Sequence, residues 1–234
     1  MRRLTFALAL ASLTSSLAVA QGTMPMETSR AVEGGGISAK GWAGQVDAGE
    51  AKAGMTINSA KFAPEGKGFH ITTGPATTYW NTANALSGNY TVKATFTEPK
   101  YMNLNDHPHP YGIVIGGNDL GTDKATLLYC TAYGTGTYIV RGFGPAPFRL
   151  GGRNPTASEA VHKASGKGEA VTQDIAVSVK DGKVSCAING TVVATFDQAE
   201  TVGDGKLKSL DGMAGLRFGH NTEVVVSGFE VKKN

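Results

Sequence analysis

The segment QDIAVSVKDGKVSCAINGTVVATF, residues 173–196, decides the fold class of this 234-residue chain. Apolar and polar side chains alternate on both sides of Asp181-Gly182. This pattern predicts two strands joined by a two-residue turn, because a type I′ turn needs positive φ at both of its central residues. Asn189-Gly190 repeats the signal and leads into a third alternating run. We therefore predict a three-stranded antiparallel meander.

Short alternating runs separated by glycine-containing turns continue along most of the chain, which has 32 glycines. In residues 89–97, for example, every second side chain from Tyr90 to Phe96 is apolar, which places those side chains on one face of a strand. We find no amphipathic pattern of ten residues or more that would indicate a helix. The chain is therefore predicted to be all-β, an antiparallel two-sheet sandwich or a barrel formed by one domain over residues 37–234. The predicted core includes Val92, Ile113, Val177, Val184 and Phe218.

Residues 1–20 (MRRLTFALALASLTSSLAVA) are predicted to be a signal peptide, because two arginines precede a short apolar stretch that ends in Ala-Val-Ala. The mature chain would begin at Gln21, and residues 21–36 read as a flexible leader. This interpretation places the protein in the periplasm or outside the cell. No later segment approaches the roughly 18 consecutive apolar residues that span a bilayer, so we predict no transmembrane segment after signal removal.

The charge balance indicates which partners the mature chain would have. Two of the 22 basic residues are arginines of the signal peptide. The 20 that remain after its removal nearly match the 19 acidic residues. This near-neutral balance predicts no nucleic-acid partner. In an oxidising compartment Cys130 and Cys186 either form a disulfide or remain two small buried hydrophobic residues, and their spacing in sequence does not decide between the two.

Three segments resemble the concanavalin A-like lectin and glucanase superfamily: residues 173–196, DGMAGLRFGHNTEVVVSGFEVKK at 211–233, and GNYTVKATFTEP at 88–99 followed by YGIVIGG. Within it the chain is most similar to laminin-G-like modules and to bacterial 3-keto-disaccharide hydrolase-type domains. The resemblance implies a jelly-roll sandwich and an exported carbohydrate-binding or structural module. Jelly-roll glucanases carry E-x-D-x-x-E on one strand, and no acidic residues here have that spacing, so we assign no catalytic residue.

Two alternatives to a binding module stay open. The first is a sugar-processing hydrolase or lyase of the 3-keto-disaccharide type, for which His107, His109 and His220 are the available bases. The second is a protein-interaction domain in the cell envelope. The partner is accordingly expected to be a glycan or another cell-envelope ligand.

A glycan site is predicted where aromatic and cationic side chains share a strand face. Tyr129 and Tyr133 lie on one face, and a three-residue turn over 134–136 would place Arg141 opposite Tyr129. Aromatic rings and arginine donors suit a sugar ligand. A four-residue turn would instead point Arg141 away, and a face buried between the sheets would leave no site.

Metal ligands are predicted in NLNDHPHPYG, residues 103–112. His107 and His109 each precede a proline, which favours extended backbone, and Asp106 lies beside them. Such a set suits zinc or copper, whereas the alternative is a proline-stiffened surface loop. Asn118, Asp119 and Asp123 could hold calcium, although a hairpin turn explains the same residues. We otherwise expect no cofactor.

Overall fold

A computed structural model of the protein describes residues 28–234; the predicted signal peptide lies outside the described residues. In chain order the strands are β1 (Gly36–Ile37), β2 (Trp42–Val46), β3 (Lys61–Glu65), β4 (Gly68–Thr72), β5 (Thr77–Leu86), β6 (Tyr90–Glu98), β7 (Tyr111–Asn118), β8 (Thr126–Tyr133), β9 (Thr137–Phe143), β10 (Pro147–Leu150), β11 (Thr156–Ala157), β12 (Val171–Lys180), β13 (Lys183–Ile188), β14 (Thr191–Asp197), β15 (Gly212–Phe218) and β16 (Glu223–Lys233). Two short α-helices, α1 (Ala48–Lys52) and α2 (Gln198–Thr201), and a 3₁₀ helix (Ile57–Ser59) complete the described part. No helix within it is long and apolar enough to cross a membrane.

The strands form two sheets that pack face to face. Sheet A has the order β1-β3-β4-β16-β6-β12-β13-β14, and sheet B has the order β10-β9-β8-β7-β15-β5-β2 with β11 paired to β9. All pairings are antiparallel except that of β1 with β3. The predicted two-sheet β-sandwich is therefore confirmed.

The core lies between the two sheets and contains the residues expected there. Val92, Ile113, Val177, Val184 and Phe218 are all buried. The predicted meander is present as β12, β13 and β14, with Lys180 paired to Lys183 and Ile188 paired to Thr191. All four central residues of its two turns have positive φ, as type I′ turns require.

Three strands of five residues or more, β2, β3 and β5, were not predicted from the sequence, each for a local reason. Strand β3 contains Pro64, which removes a backbone donor and is ordinarily confined to sheet edges. Strand β2 contains Gly44, and its side chains do not alternate between buried and exposed. Strand β5 is buried on both faces over its first four residues and largely exposed after them, so no period of two is visible.

The part of the predicted leader that the structure describes, from Thr28, is hydrogen-bonded to the sandwich. The backbone N–H of Arg30 donates to Asn221 Oδ1 at 2.9 Å, and that of Val32 donates to the carbonyl of Ser59 at 3.1 Å. Gly74 makes room for this segment, because a Cβ there would lie 1.5 Å from the carbonyl oxygen of Arg30. Hydrogen bonds at Arg30 and Val32 thus join this segment to the sandwich.

A disulfide joins the two sheets through the core. Cys130 in β8 of sheet B is bonded to Cys186 in β13 of sheet A, with their Cα atoms 6.1 Å apart. Both residues are buried among the apolar side chains between the sheets. Of the two alternatives that the sequence left open, the structure therefore contains the bridge.

We expect loss of this cross-link to destabilise the fold. Its sequence separation of 56 residues corresponds to about 4 kcal/mol of chain entropy removed from the unfolded state. The Cys130→Ala/Cys186→Ala double variant should lose about that much free energy of unfolding in urea titrations. Reduced wild-type protein is the matched control, since it keeps both sulfur atoms and lacks only the bond. A loss below about 1 kcal/mol in both samples would contradict the expected effect.

Candidate functional site

The predicted ligand residues lie on the outer face of sheet B, the side turned away from sheet A. Leu128 and Cys130 of β8 belong to the inter-sheet core, whereas Tyr129 between them packs in a separate cluster. That cluster contains Val114 and Ile139 from the neighbouring strands. The face that carries Tyr129 is therefore not the one buried between the sheets.

Strand pairing aligns three of the polar and aromatic side chains of this face. Tyr133 pairs with Thr137 and Tyr129 with Arg141, so the turn over 134–136 has three residues. Arg141 in turn pairs with Arg149 of β10. Because directly paired residues point to the same side of a sheet, Tyr129, Arg141 and Arg149 form one row across β8, β9 and β10.

Arg217, a buried arginine that was not predicted as a site residue, contacts several side chains of this face. Arg217 of β15 is only 6% exposed, and its two terminal nitrogens donate to the two carboxylate oxygens of Asp47 at 2.5 and 2.6 Å. Its guanidinium carbon lies 5.3 Å from the ring centroids of both Tyr129 and Phe143, within the range of cation–π attraction. Burial lowers the pKa of Arg217, but the Asp47 carboxylate outweighs burial and raises that pKa above its ordinary value.

The position of Arg217 decides which predicted ligand residues a sugar could reach. Tyr129 is 8% exposed because Arg217 lies over its ring, so this ring does not offer the stacking surface that the sequence suggested. Tyr133 and Arg141 remain half-buried and reach solvent. Burial raises the pKa of Tyr133 to about 12, so its hydroxyl stays protonated at neutral pH and can donate a hydrogen bond.

Three arginines lie together at the β9–β10 edge of this face. Arg141 Nη2 donates to the backbone carbonyl of Arg153 at 2.8 Å, and Arg149 is the strand partner of Arg141. Among residues 28–234, no ion pair joins Arg141, Arg149 or Arg153 to a carboxylate. The buried Nε of Arg141 has no acceptor within this part of the chain. The edge therefore presents the side chains of Arg141 and Arg149, whose guanidiniums suit an anionic ligand.

A group of three histidines lies where the β6–β7 and β15–β16 connections meet. The rings of His107 and His109 are 4.3 Å apart between centroids, and His220 lies 4.0 Å from His109 and 5.9 Å from His107. Asp106 is not a member of this group, and its carboxylate lies 3.5 Å from Lys167 Nζ. The structure thus brings together two of the three predicted metal ligands and adds His220 to them.

The two remaining histidines of residues 28–234 and the predicted calcium loop have different surroundings. His70 lies between Glu65 and Glu223, with one ring nitrogen within 3.1 Å of each carboxylate. His162 Nδ1 contacts the backbone carbonyl of Thr172 at 2.7 Å. In the predicted calcium loop Asp119 forms an ion pair with Lys208.

No family model and no curated protein matches this sequence, whereas solved structures resemble it in fold. The carbohydrate-binding module CBM66 from Bacillus subtilis aligns with a TM-score of 0.53 and 9% identity, over 82% of this chain and 96% of that chain. A protein of unknown function with a galectin-like fold, also from Bacillus subtilis, aligns with a TM-score of 0.53 and 12% identity, over 82% and 89%. These likenesses confirm the predicted jelly-roll fold and, at this identity, show the fold alone.

A buried carboxyl lies where the histidine-bearing connection leaves sheet A. Glu98, the last residue of β6, is 3% exposed, and its Oε1 accepts a hydrogen bond from the backbone N–H of Met102 at 3.0 Å. Its Oε2 is buried and has no hydrogen-bond partner among residues 28–234. Burial raises the pKa of Glu98 to about 7, and the Met102 hydrogen bond offsets only part of that rise.

This carboxyl should make stability depend on pH. Between its ordinary pKa of 4.5 and about 7, the folded protein holds a proton that the unfolded chain has released. The free energy of unfolding therefore falls as pH rises through that window. Glu98→Gln keeps the acceptor for Met102 and cannot ionise, so its stability relative to wild type should rise by about 3 kcal/mol between pH 4.5 and pH 8.

Urea titrations at the two pH values measure this change. The exposed Glu159→Gln removes the same charge and serves as the control. If the stability difference between Glu98→Gln and wild type is the same at both pH values, Glu98 is not a proton-holding group of the folded state.

Proposed function

We propose that this protein binds a carbohydrate on the outer face of sheet B, where β8, β9 and β10 present Tyr133, Arg141 and Arg149. The observation that carries the proposal is the row of paired strand positions that places Arg141 beside Arg149, at an edge where neither has a carboxylate partner among residues 28–234. Sugar sites combine a flat apolar surface with a few fixed polar donors. Tyr133 supplies the ring, and the two guanidiniums supply the donors.

The scaffold beneath these groups supports binding with little rearrangement. Arg217 and Asp47 are joined by two hydrogen bonds, and Arg217 also fills the space over Tyr129 and Phe143. A rigid layer of this kind holds the neighbouring side chains in place, which lowers the entropy lost on binding. The likeness in fold to a solved carbohydrate-binding module supports the same proposal.

An acidic sugar fits this edge better than a neutral one. A uronate or sulfate group would accept paired hydrogen bonds from a guanidinium, and such charge-assisted bonds are roughly twice as strong as neutral ones. Arg141 and Arg149, paired on neighbouring strands, are positioned to provide them. We therefore expect the ligand to be an acidic glycan, such as a polyuronate or a sulfated glycan.

Export belongs to the same proposal. A signal peptide at residues 1–20 would deliver the protein to a compartment in which envelope or extracellular polysaccharides are accessible. The Cys130–Cys186 bridge supports this location, because structural disulfides persist mainly in oxidising compartments.

A glycan array and polysaccharide pull-downs with matched variants test the binding face. We expect Arg141→Ala to weaken binding to an acidic glycan at least tenfold, since a lost charge-assisted hydrogen bond is worth about 1.5–3 kcal/mol. Tyr133→Ala should weaken binding to acidic and neutral glycans alike.

Lys93→Ala provides the control, because Lys93 carries the same charge on the outer face of sheet A, paired with Glu230. It should bind like wild type, and the melting temperatures of Lys93→Ala and Arg141→Ala should stay close to that of the wild type. The proposal is wrong if the intact protein binds no glycan, or if Lys93→Ala loses binding while Arg141→Ala retains it.

A further inference from the structure

The imidazoles of His107, His109 and His220 form a group that the proposed sugar-binding face does not use. They come from two segments far apart in sequence, yet one ligating nitrogen from each lies within 4.8 Å of the other two. Two nitrogens bound to one tetrahedral zinc ion are about 3.4 Å apart, given Zn–N distances of about 2.0–2.1 Å. His107 is exposed, so its side chain has room to approach the other two rings.

The backbone that carries these rings is fixed on both sides. Gly219 N–H donates to the carbonyl of Pro110 at 2.7 Å, and Thr73 Oγ1 donates to the carbonyl of Gly219 at 2.7 Å. Residue 219 must be a glycine for this approach, because a Cβ there would lie 2.8 Å from the Cβ of His109. The two segments are therefore held in contact by glycine and by backbone hydrogen bonds.

Side chains around the group also orient it. His220 Nδ1 lies 3.1 Å from Ser29 Oγ, and an imidazole held through Nδ1 can ligate a metal through Nε2. The prolines after His107 and His109 keep both residues out of the helical region, so the two rings stay on an extended segment. Outer contacts of this type set the ring orientation in known metal sites.

We infer that His107, His109 and His220 bind a divalent transition-metal ion of the zinc or copper type. Imidazole nitrogen favours these ions, whereas calcium and magnesium prefer oxygen ligands. Three protein nitrogens leave a tetrahedral ion in need of one more ligand, which water or a further side chain would supply. The inference is independent of sugar binding, because it uses a different set of side chains.

Isothermal titration of the full chain, purified without a histidine tag, tests this inference with Zn²⁺ and with Cu²⁺. We expect binding of one ion per chain, no heat with Mg²⁺ or Ca²⁺, and nitrogen hyperfine splitting in the electron paramagnetic resonance spectrum of the Cu²⁺ complex. His107→Ala and His220→Ala should each weaken binding at least tenfold, since second-shell changes alone cost 10–100-fold in metal sites. His107 is exposed, so its replacement leaves the fold intact.

His162→Ala and His70→Ala are the controls, because these two histidines lie outside the group. They should bind the metal as wild type does. The inference is overturned if wild type binds neither ion, or if His107→Ala and His220→Ala bind as tightly as wild type. Loss of binding in His70→Ala alone would assign the metal to His70 and its two glutamates instead, which also overturns it.

Discussion

A buried ion pair between Arg217 and Asp47 organises the outer face of sheet B. Removing a guanidinium from water costs several kcal/mol, and here two hydrogen bonds to one carboxylate and two aromatic rings offset that cost. Because β15 lies inside the sheet and Asp47 lies just after its edge strand β2, the pair links the centre of sheet B to its margin. The same side chain covers Tyr129, so it determines which neighbouring groups reach solvent.

Local sequence signals were sufficient to predict the fold class. Asp181-Gly182 and Asn189-Gly190 need only their own backbone preferences and the period of two around them, and both turns formed as expected. The same reasoning failed at β5, because its buried first half carries no alternation. A strand buried on both faces at one end and exposed at the other has no periodic pattern to detect.

The candidate sites were only partly predictable, because they depend on contacts between distant residues. Arg217 and Asp47 are 170 residues apart, and nothing in either segment indicates that they meet. His107 and His109 were identified by their spacing, but their connection to His220 depends on Gly219, whose missing side chain allows two loops to touch. Sequence periodicity reports which face a residue lies on and does not report what covers that face.

The most direct measurement is a double-mutant cycle on the buried pair, with Arg217→Met, Asp47→Asn and the two together. If the pair organises sheet B, each single change leaves an unpaired group behind, and the double variant recovers part of the loss. We predict a coupling energy of about 2 kcal/mol in the free energy of unfolding, reduced from the value for a fully buried pair because Asp47 is partly exposed. Strictly additive losses would contradict the account, since they would mean that Arg217 and Asp47 act independently.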